Sequence, residues 1–495
     1  MAIEENQLHF VLLPFMAQGH MIPMVDIARL LGKRGVTVTI LLTPSNHNRI
    51  KSTLDRAVAT SGLSINISHL KFPSAEAGLP EGCENLDTIP SVDQSLKFLK
   101  ATAMLEHQVE EILRNLNPSP VCFISDMCFP WTTDVSVRLG IPRVVFHGTS
   151  CFSLLCMHVM GVSKELEAIA SDTEYFVVPD FPDRIEINKA QMRGMADQVP
   201  HEWAKLREEI READVEAFGT VANTFEELEP EYVRRYEQVK GNKVWCIGPV
   251  SLSSEDASDK AYRGNKASID VHECLEWLGR REPGSVVYAC LGSLSRLGAS
   301  QLIEIGLGLE ASDRPFIWVI RNASAEFGKW LEEEKFEERI KGRGLLIHGW
   351  APQVLILSHP SVGGFLTHCG WNSTLEGVAA GLPMMTWPVF AEQFCNEKFI
   401  VSVIKTGVRV GVEVPVVFGE EEKVGVQVKS DDIKMVIEKL MDGGGDGEER
   451  RERARKLREM AKRASEKGGS SYRNLKRLVE DAAVQRAVVR RAIGQ

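Results

Sequence analysis

Two segments far apart in the chain share one pattern of apolar and polar residues. The apolar run at residues 9–14 (HFVLLP) leads through Gly19 and His20 into a stretch of helical periodicity. The run at residues 285–290 (SVVYAC) leads through a glycine-containing turn into residues 301–310, which have the same periodicity. A buried strand, a glycine turn and an amphipathic helix form the opening unit of a doubly wound parallel sheet. The pattern therefore predicts an α/β fold with one such unit in each half of the chain.

More short apolar runs follow each of the two opening units. They lie at residues 36–42, 121–125, 144–146 and 217–222 in the first half, and at residues 316–320, 345–347, 364–366 and 384–386 in the second. Stretches of helical periodicity separate them, and strands that alternate with helices are typical of parallel sheets. We therefore predict two Rossmann-like domains.

The predicted boundary between the domains lies near Pro249. At 495 residues the chain is too long for one ordinary core. The polar run at residues 251–268 has the composition of an exposed linker. We place the N-terminal domain at residues 1–250, the linker at residues 251–272 and the C-terminal domain at residues 273–470.

A glycine-rich stretch at residues 443–447 separates two helical segments near the end of the chain. The segment after it is strongly charged. Its pattern favours a solvated surface helix, and the alternative is a coiled coil.

Composition limits the classes of partner and compartment. Hydrophobic residues make up 44% of the chain and charged residues 25%, as in soluble globular proteins. The net charge of −10 argues against a nucleic-acid partner, because binding a polyanion needs a basic surface. The ten cysteines form no C-x-x-C pair, which predicts buried free thiols in a reducing compartment. No segment has the features of a secretory signal or the roughly 20 apolar residues of a transmembrane helix, so we expect a cytoplasmic protein.

Residues 350–393 combine three features that suit a nucleotide sugar. At residues 367–373 a hydrophobic strand breaks into a glycine loop that opens a helix. A helix start of this kind binds anions through its backbone N–H groups and its dipole. Trp350 offers a flat ring on which a base can stack, and Glu392 and Gln393 offer polar groups suited to sugar hydroxyls. The segment therefore predicts a nucleotide-sugar site.

This segment resembles the C-terminal signature box of the plant family 1 UDP-glycosyltransferases. The match runs without a gap from Trp350 to Gln393 and includes the HCGWNS core at residues 368–373. The resemblance extends over nearly the whole chain, and the N-terminal half is most similar to the subgroup that acts on triterpenoids, steroids and flavonoids. It implies the GT-B fold, with two facing Rossmann-like domains and the active site in the interdomain cleft. It also implies a monomer in which the last helix, at residues 471–495, packs back on the N-terminal domain.

Two residues of the N-terminal half are candidates for catalysis. His20 lies where the loop after the first strand enters its helix, with Pro23 expected in the opening turn. A helix start disfavours a charged imidazole, so His20 either serves as a base or merely caps the helix. Asp126 follows the apolar strand at residues 121–125, at the edge where ligands bind in such sheets, and it either orients a histidine or turns the chain. The resemblance implies that His20 is the catalytic base and Asp126 its partner.

The resemblance places the donor site in the second domain. Uracil is expected at Trp350 and Ala351, the ribose at Gln353 and Glu376, and the sugar at Trp371 and the end of the box. The full set is Ser293, Trp350, Ala351, Gln353, His368, Gly370, Trp371, Asn372, Ser373, Glu376, Glu392 and Gln393.

Two points about the donor stay open at this stage. The spacing Ser373-x-x-Glu376 also fits a capping box, in which Glu376 bonds back to the helix start. Gln393 together with Trp371 resembles glucose users more than galactose users, but users of glucuronate and pentoses share the box. We expect no metal and no cofactor besides the UDP-sugar, because the sequence has no His, Asp and Glu cluster of evident ligand spacing.

The acceptor pocket is expected in the N-terminal domain. That half is rich in Met and Phe, which suits a broad apolar pocket. The candidate lining residues, each equally a core residue, are Phe15, Met16, Phe129, Phe152, Leu155 and Met192.

The sequence thus supports an inverting transfer of a sugar, most simply glucose, from a UDP-sugar to a hydroxyl of an apolar acceptor. A nicotinamide-dependent oxidoreductase would fit the fold, but G-x-G-x-x-G is missing from both strand–helix turns. A non-catalytic nucleotide binder is the third hypothesis, and the presence of both His20 and Asp126 argues against it.

Overall fold

The computed structural model of the chain describes residues 8–91, 93–163, 169, 171–192, 201–254, 256–416 and 419–493. Strands and helices alternate along most of these residues. The strands are β1 (His9–Leu13), β2 (Thr37–Leu42), β3 (Ile65–His69), β4 (Cys122–Asp126), β5 (Arg143–His147), β6 (Tyr175–Val177), β7 (Glu186–Asn188), β8 (Gly219–Ala222), β9 (Lys243–Cys246), β10 (Val286–Cys290), β11 (Phe316–Ile320), β12 (Gly344–His348), β13 (Val362–Thr367), β14 (Met384–Thr386) and β15 (Gly407–Arg409).

The helices follow in the same chain order. They are α1 (Gln18–Gly32), α2 (Pro44–Ser61), α3 (Asp93–Ala103), α4 (Glu106–Asn115), α5 (Thr132–Leu139), α6 (Cys151–Val162), α7 (His201–Glu216), α8 (Pro230–Lys240), α9 (Ala257–Ala261), α10 (Val271–Gly279), α11 (Ala299–Ala311), α12 (Ala325–Glu333), α13 (Phe336–Arg339), α14 (Gln353–Leu357), α15 (Trp371–Ala380), α16 (Gln393–Lys398), α17 (Glu421–Val424), α18 (Ser430–Met441), α19 (Gly445–Ser465) and α20 (Ser470–Ile493).

The first sheet has the spatial order β3-β2-β1-β4-β5-β8-β9, and each strand is parallel to its neighbours. Its central strands are apolar on both faces because helices cover both sides of such a sheet. Phe10 and Leu12 of β1 are fully buried and belong to a core that also takes in Met21 of α1. The same core contains Leu475 and Leu478, so α20 packs against this sheet.

The second sheet has the order β12-β11-β10-β13-β14-β15 and is also parallel. Across its two central strands the rings of Tyr288 and Phe365 stack with centroids 5.4 Å apart. The order reverses direction beside β10, and the loops after β10 and β13 therefore leave the sheet side by side. Ligands bind at such switch points in open α/β sheets.

The predicted fold class is confirmed. Each apolar run corresponds to a strand within two residues, and the runs at residues 316–320 and 384–386 match β11 and β14 fully. The strands that the sequence analysis missed are β3, β9 and β15 at the sheet edges, and the antiparallel pair β6–β7. An edge strand buries fewer side chains than a central one, so its apolar pattern is weaker. β3 illustrates this, since only its first residue, Ile65, is buried.

Two compact units divide the chain differently from the predicted domain boundaries. The first comprises residues up to 151, residues 199–265 and residues from 463 onward, and the second comprises residues 152–198 and 266–462. Residues 152–198, expected in the N-terminal domain, therefore group with the C-terminal sheet. The physical reason is the packing of α6 on α16, where the ring of Phe152 lies 5.2 Å from that of Phe399.

The segment after Pro249 is not the exposed linker that its composition suggested. Ser251, Ser253 and Ser254 are buried. Ser253 donates its hydroxyl to the carboxylate of Asp26 in α1 at 3.1 Å, and the Nε of Arg263 donates to the same carboxylate at 2.8 Å. Asp26 is fully buried, so its charge needs these partners. The segment is polar because it satisfies a buried carboxylate.

The strongly charged helix predicted near the end of the chain is α19. Ala454, Ala461 and Ala464 form its buried stripe, and most of its other residues are exposed or half-buried. This is the pattern of a surface helix. None of the described helices combines the length and apolar character needed to cross a membrane.

Replacing Arg263 by Met tests the buried ion pair. Burial raises the pKa of Asp26, and Arg263 opposes that effect. Removing the guanidinium should therefore cost stability near the lower end of about 3–5 kcal/mol at pH 7, since Arg29, at 3.9 Å, still compensates part of the charge. The measurement is urea unfolding followed by circular dichroism.

The loss should shrink as the pH is lowered from 8 to 5. A raised pKa in the folded state means that the folded protein binds the Asp26 proton more tightly than the unfolded chain, so acid favours folding of the variant. In an Asp26→Asn background the same Arg263→Met change should cost less and show no such pH dependence. A loss of equal size in both backgrounds would contradict the interpretation.

Candidate active site

The structure brings His20 and Asp126 together at the carboxyl edge of the first sheet. β1 and β4 are neighbours, with Leu13 opposite Ser125, so the loop after β1 and the last residue of β4 lie side by side. The Nδ1 of His20, the third residue of α1, is 2.8 Å from Oδ2 of Asp126. His20 keeps 30% of its side chain exposed, whereas Asp126 is fully buried. The buried carboxylate thus holds an imidazole that still reaches the surface.

The charge state of Asp126 decides which nitrogen of His20 carries the proton. Burial raises the pKa of Asp126, but the nearby His20 imidazole and the backbone N–H of Cys128, 3.1 Å from Oδ1, outweigh burial and leave the pKa below its ordinary value. An ionised carboxylate only accepts hydrogen bonds. Nδ1 of His20 therefore donates, and the lone pair lies on Nε2, where a base needs it. Asp126 thus contacts both His20 and the turn at Cys128, as its two considered roles require.

Pro23 does not occupy the opening turn of α1 as expected. The helix begins at Gln18, and Pro23 is its sixth residue. Gly19 resembles a turn residue, so the start of the helix was predicted later in the chain than Gln18.

The predicted anion site lies in the loop between β13 and α15. We call it the phosphate cradle and define it as residues 368–370 and the first turn of α15. Gly370 is the N-cap and has no side chain with which to cap the helix. Trp371, Asn372 and Ser373 supply the first turn. The first N–H groups of a helix have no acceptor within the helix, so a terminus without a side-chain cap suits an anion.

His368 lies between two glycines in this cradle. A methyl group built on Gly292 would lie 2.4 Å from its Nε2, and one built on Gly370 would lie 2.3 Å away. Burial lowers the pKa of His368 to about 4, so the side chain is neutral at pH 7. Within the described part of the chain, its Nδ1 has no hydrogen-bond partner. Ser293 follows Gly292 in the loop between β10 and α11 and is half-buried.

The capping-box interpretation of Glu376 is wrong. The helix starts at Trp371, so Ser373 is its third residue and not its cap. Glu376 accepts from Nε2 of Gln353 at 2.8 Å, and the same amide nitrogen is 3.0 Å from the hydroxyl of Ser373. Gln353, Ser373 and Glu376 thus form one polar group, and a carboxylate in it can accept from a cis-diol.

The backbone of Trp350 is fixed by a residue outside the signature box. Its N–H donates to the hydroxyl of Ser268 at 2.9 Å, and its carbonyl accepts from the N–H of Ser268 at 2.8 Å. The guanidinium of Arg321 lies 5.1 Å from the ring centroid of Trp350. The next residue, Ala351, is buried, and its carbonyl accepts from the N–H of Gln353 at 2.8 Å.

The end of the box forms the start of α16. Gln393 is buried, and its amide oxygen accepts from the N–H groups of Val389 at 2.8 Å and Phe390 at 3.1 Å. These two hydrogen bonds set the orientation of the amide, with its oxygen toward this turn. Glu392 is the N-cap residue of α16 and is half-buried.

Comparisons with known proteins show the family of the chain. The family model "Glycosyltransferase, N-terminal domain" matches residues 6–252, and the model "UDP-glucoronosyl and UDP-glucosyl transferase" matches residues 262–416. The chain is 55% identical over 477 residues to UDP-glycosyltransferase 73C12 of Barbarea vulgaris, a match that covers 96% of each protein. It belongs to the plant family 1 UDP-glycosyltransferases.

Solved structures place this glycosyltransferase in the GT-B fold. The crystal structure of UGT73P12 from Glycyrrhiza uralensis, complexed with glycyrrhetinic acid 3-O-monoglucuronide, aligns with a TM-score of 0.89 at 38% identity, covering 97% of this chain and 96% of that one. The structure of UGT2 from Phytolacca americana, complexed with UDP-2fluoro-glucose and pterostilbene, aligns with a TM-score of 0.75 at 27% identity, covering 96% of this chain and 100% of that one. The family and fold predictions are confirmed, and the enzyme transfers a sugar from a UDP-sugar.

The residues expected to line the acceptor pocket of the glycosyltransferase fall into both compact units. The first unit contains Phe15, Met16 and Phe129, and the second contains Phe152, Leu155 and Met192. All six are buried. In the first unit, the ring of Phe15 lies 5.3 Å from the imidazole of His20 and 5.8 Å from the ring of Phe129. The lining roles of these six residues stay predictions.

Two residues that contact the predicted site from elsewhere in the chain were not predicted from the sequence. Ser268 lies in the polar run taken as linker, and Asn396 lies three residues beyond the box, one helical turn after Gln393. That spacing on α16 was the available signal for Asn396, whereas nothing near Ser268 in the sequence indicates its contact with Trp350. Among the described residues, no group of three or more His, Cys, Asp or Glu side chains is placed to hold a metal ion.

The thiols of the enzyme follow the prediction of burial. Nine of the ten cysteines are buried and Cys128 is half-buried. Burial raises the pKa of the Cys122 thiol well above its ordinary value.

Replacing Gly370 by Ala tests the role of the cradle. The backbone of Gly370 has φ of −58°, which any residue adopts, so the new methyl group acts through its collision with His368. We expect the dissociation constant for UDP to rise by about ten-fold or more, because overpacking of this size typically costs 1–3 kcal/mol. Titration calorimetry with UDP is the measurement.

Gly328→Ala is the matched control, because nothing lies within 4 Å of the position of its new methyl group and it lies inside α12. That variant should bind UDP normally and be as stable as the wild type or slightly more so. Unchanged UDP affinity in Gly370→Ala would argue against the cradle as the pyrophosphate site.

Proposed function

We propose that this enzyme transfers glucose from UDP-glucose to a hydroxyl of an apolar specialised metabolite, a triterpenoid, steroid or flavonoid, with inversion at the anomeric carbon. The product is a β-O-glycoside. The observation that supports the proposal most is the 2.8 Å contact between Nδ1 of His20 and buried Asp126, since in a neutral imidazole it leaves the basic lone pair on Nε2.

In the proposed reaction, Nε2 of His20 removes the proton from the acceptor hydroxyl. The oxygen forms a bond to the anomeric carbon while the bond from that carbon to the UDP oxygen breaks, so one displacement inverts the configuration. The imidazolium that forms is stabilised by the carboxylate of Asp126, which stays ionised because its pKa is lowered. Base catalysis of this kind contributes about 10²–10⁴-fold to the rate.

The leaving UDP gains negative charge on its pyrophosphate, and the phosphate cradle is the proposed place for that charge. The start of α15 offers backbone N–H groups and the positive end of a helix dipole. His368 is neutral, so it acts as a hydrogen-bond donor and not as a cation. Local groups are needed here because the protein as a whole has a net charge of −10.

The remaining donor contacts are assigned to other residues of the signature box. We assign uracil to Trp350 and Ala351, the ribose to Gln353 and Glu376, and the sugar to Gln393 and its neighbours. The amide oxygen of Gln393 already accepts two backbone hydrogen bonds. We therefore assign its NH₂ group to donate to a hydroxyl oxygen of the hexose.

Glucose is supported by the signature box and by one solved relative, and an acceptor that contains several rings is supported by two. UGT2 from Phytolacca americana was crystallised with UDP-2fluoro-glucose and pterostilbene. UGT73P12 from Glycyrrhiza uralensis was crystallised with glycyrrhetinic acid 3-O-monoglucuronide. The second ligand already carries a sugar acid. This supports the alternative that the enzyme uses another donor such as UDP-glucuronate, or that it extends an existing glycoside.

We further propose that the enzyme acts as a cytosolic monomer.

Replacing His20 by Ala tests the base. Transfer should fall by about 10²–10⁴-fold, because the proton of the acceptor hydroxyl then has no positioned acceptor. UDP should bind with wild-type affinity. Product formation is measured by mass spectrometry and UDP binding by calorimetry.

His107→Ala is a suitable control, since His107 is an exposed residue of α4 in the same compact unit. It should retain full activity. Turnover of the His20 variant close to that of the wild type would remove His20 as the base.

A panel of donors and acceptors tests the sugar and the acceptor class. UDP-glucose, UDP-glucuronate, UDP-galactose and UDP-xylose are each offered with a flavonol, a triterpenoid, a triterpenoid monoglycoside and a steroid. We expect a mass gain of one hexose with UDP-glucose only. Transfer from UDP-glucuronate alone would keep the reaction class and overturn the glucose assignment, and transfer to the monoglycoside alone would favour chain extension.

A further inference from the structure

Cys369, in the middle of the phosphate cradle, has a backbone that favours glycine. Its φ is +62°, in the left-handed region, although it is not a glycine. Such a conformation costs about 1 kcal/mol or more and persists only where the surroundings hold it. The orientation of this residue decides where the flanking His368 and Gly370 lie.

Two contacts hold Cys369 in this conformation. Its N–H donates to the hydroxyl of Thr367 at 3.2 Å, which is a local contact within the strand end. Its carbonyl accepts from Nδ2 of Asn396 at 2.8 Å. Asn396 belongs to α16 and is fully buried, so this second contact ties the cradle to another element.

The amide of Asn396 is fixed at both ends. While Nδ2 donates to the carbonyl of Cys369, Oδ1 accepts from the hydroxyl of Ser153 at 2.8 Å. Ser153 lies in the first turn of α6 and is also fully buried. An amide held by a donor on one side and an acceptor on the other cannot flip without losing both bonds. The result is a continuous chain from α6 through α16 to the cradle.

The two helices face each other in register along this contact. Phe152 and Phe399 are in ring contact at 5.2 Å, and the Sγ atoms of Cys156 and Cys395 are 3.7 Å apart. Positions 152, 153 and 156 of α6 have the spacing i, i+1 and i+4, and so do positions 395 and 396 of α16 with position 399 directly after it. Three positions with this spacing lie within about 100° of a helix surface. α6 therefore presses a continuous face against the helix that carries Gln393 and Asn396.

We propose that Asn396, held by Ser153, is a positioning residue for the donor: it sets the geometry of the phosphate cradle and thereby the affinity for UDP. The inference rests on the proposed function in one respect, namely that the cradle receives the pyrophosphate. Neither residue touches the donor in this scheme. Asn396 acts through the carbonyl of Cys369, and Ser153 acts through the amide of Asn396.

The proposal separates two roles within one helix. Phe152 and Leu155 were expected to serve the acceptor, whereas Ser153, between them, supports the donor. A change at Ser153 should therefore alter the KM for the UDP-sugar and leave the KM for the acceptor unchanged.

The test compares three variants. Asn396→Asp, assayed at pH 8, keeps the shape of the side chain but sets an oxygen against the carbonyl of Cys369. Ser153→Ala removes the outer bond of the chain. Cys156→Ala is the matched control, because it also deletes one buried heavy atom from the same face of α6, and its thiol lies against Cys395 and not against the amide of Asn396.

UDP dissociation constants, the KM values for donor and acceptor, and kcat are measured together with the melting temperature. We expect Asn396→Asp to raise the UDP dissociation constant and the donor KM by about ten-fold or more, since an unsatisfied buried carbonyl is costly. Ser153→Ala should raise both by about three-fold or more. For each, kcat should change by less than about three-fold, and Cys156→Ala should leave the donor constants unchanged at a similar loss of melting temperature.

Equal donor constants in Ser153→Ala and Cys156→Ala would overturn the proposal, since the pair would then serve stability alone. This comparison stands even if the Asn396→Asp variant fails to fold. His368→Ala separates a failure of the positioning role from a failure of the cradle as the pyrophosphate site. If it weakens UDP binding while Asn396→Asp and Ser153→Ala do not, only the positioning role fails. If His368→Ala also leaves UDP binding unchanged, the cradle is not the pyrophosphate site and both proposals fail.

Discussion

Parallel pairing of the strands is the constraint on which the rest of the structure depends. It places every carboxyl end at one edge of each sheet, so residues that are distant in sequence meet there. β1 beside β4 brings His20 to Asp126, which lies 106 residues further along the chain. β10 beside β13 brings Gly292 to His368 in the same way. In each sheet, the meeting of these distant residues is thus a consequence of strand order.

Electrostatics in the enzyme is local because its overall charge opposes an anionic donor. The protein has a net charge of −10, yet the start of α15 offers a helix dipole and backbone N–H groups. His368 is uncharged at pH 7, since burial lowers its pKa to about 4. In the first unit, Asp126 keeps its charge despite full burial because His20 and a backbone N–H stabilise it. Burial disfavours the charged form of both His368 and Asp126, and only Asp126 has partners that outweigh this effect.

The compact units show that chain order and packing divide the protein differently. α6 follows β5 of the first sheet directly, but its buried face packs on α16. Conversely, the polar segment after Pro249 stays with the first unit because Arg263 and Ser253 satisfy buried Asp26. In both cases a buried group that needs a partner, and not the position in the sequence, decides where a segment belongs.

The sequence by itself determined the fold class, the central strands and the signature box. Central strands are buried on both faces, so their apolar runs are unambiguous, and the box is contiguous, so its chemistry is readable in one segment. Edge strands such as β3 and β15 were not predicted, because half-buried or very short strands show little apolar pattern along the chain. The start of α1 was predicted too late, and the alternative of a capping box at Ser373 and Glu376 failed, because a local spacing fits more than one helix boundary.

Only the tertiary structure decided which distant residues support the site. Ser268 bonds to the backbone of Trp350. Asn396 bonds to Cys369 and also to Ser153, from which it is separated by 243 residues in sequence. Such contacts depend on three-dimensional packing between elements, and a hydrogen bond between two buried polar groups has no periodicity along the chain. Apolar burial follows a repeat that a single sequence displays, whereas polar pairing is specified only once the elements have packed.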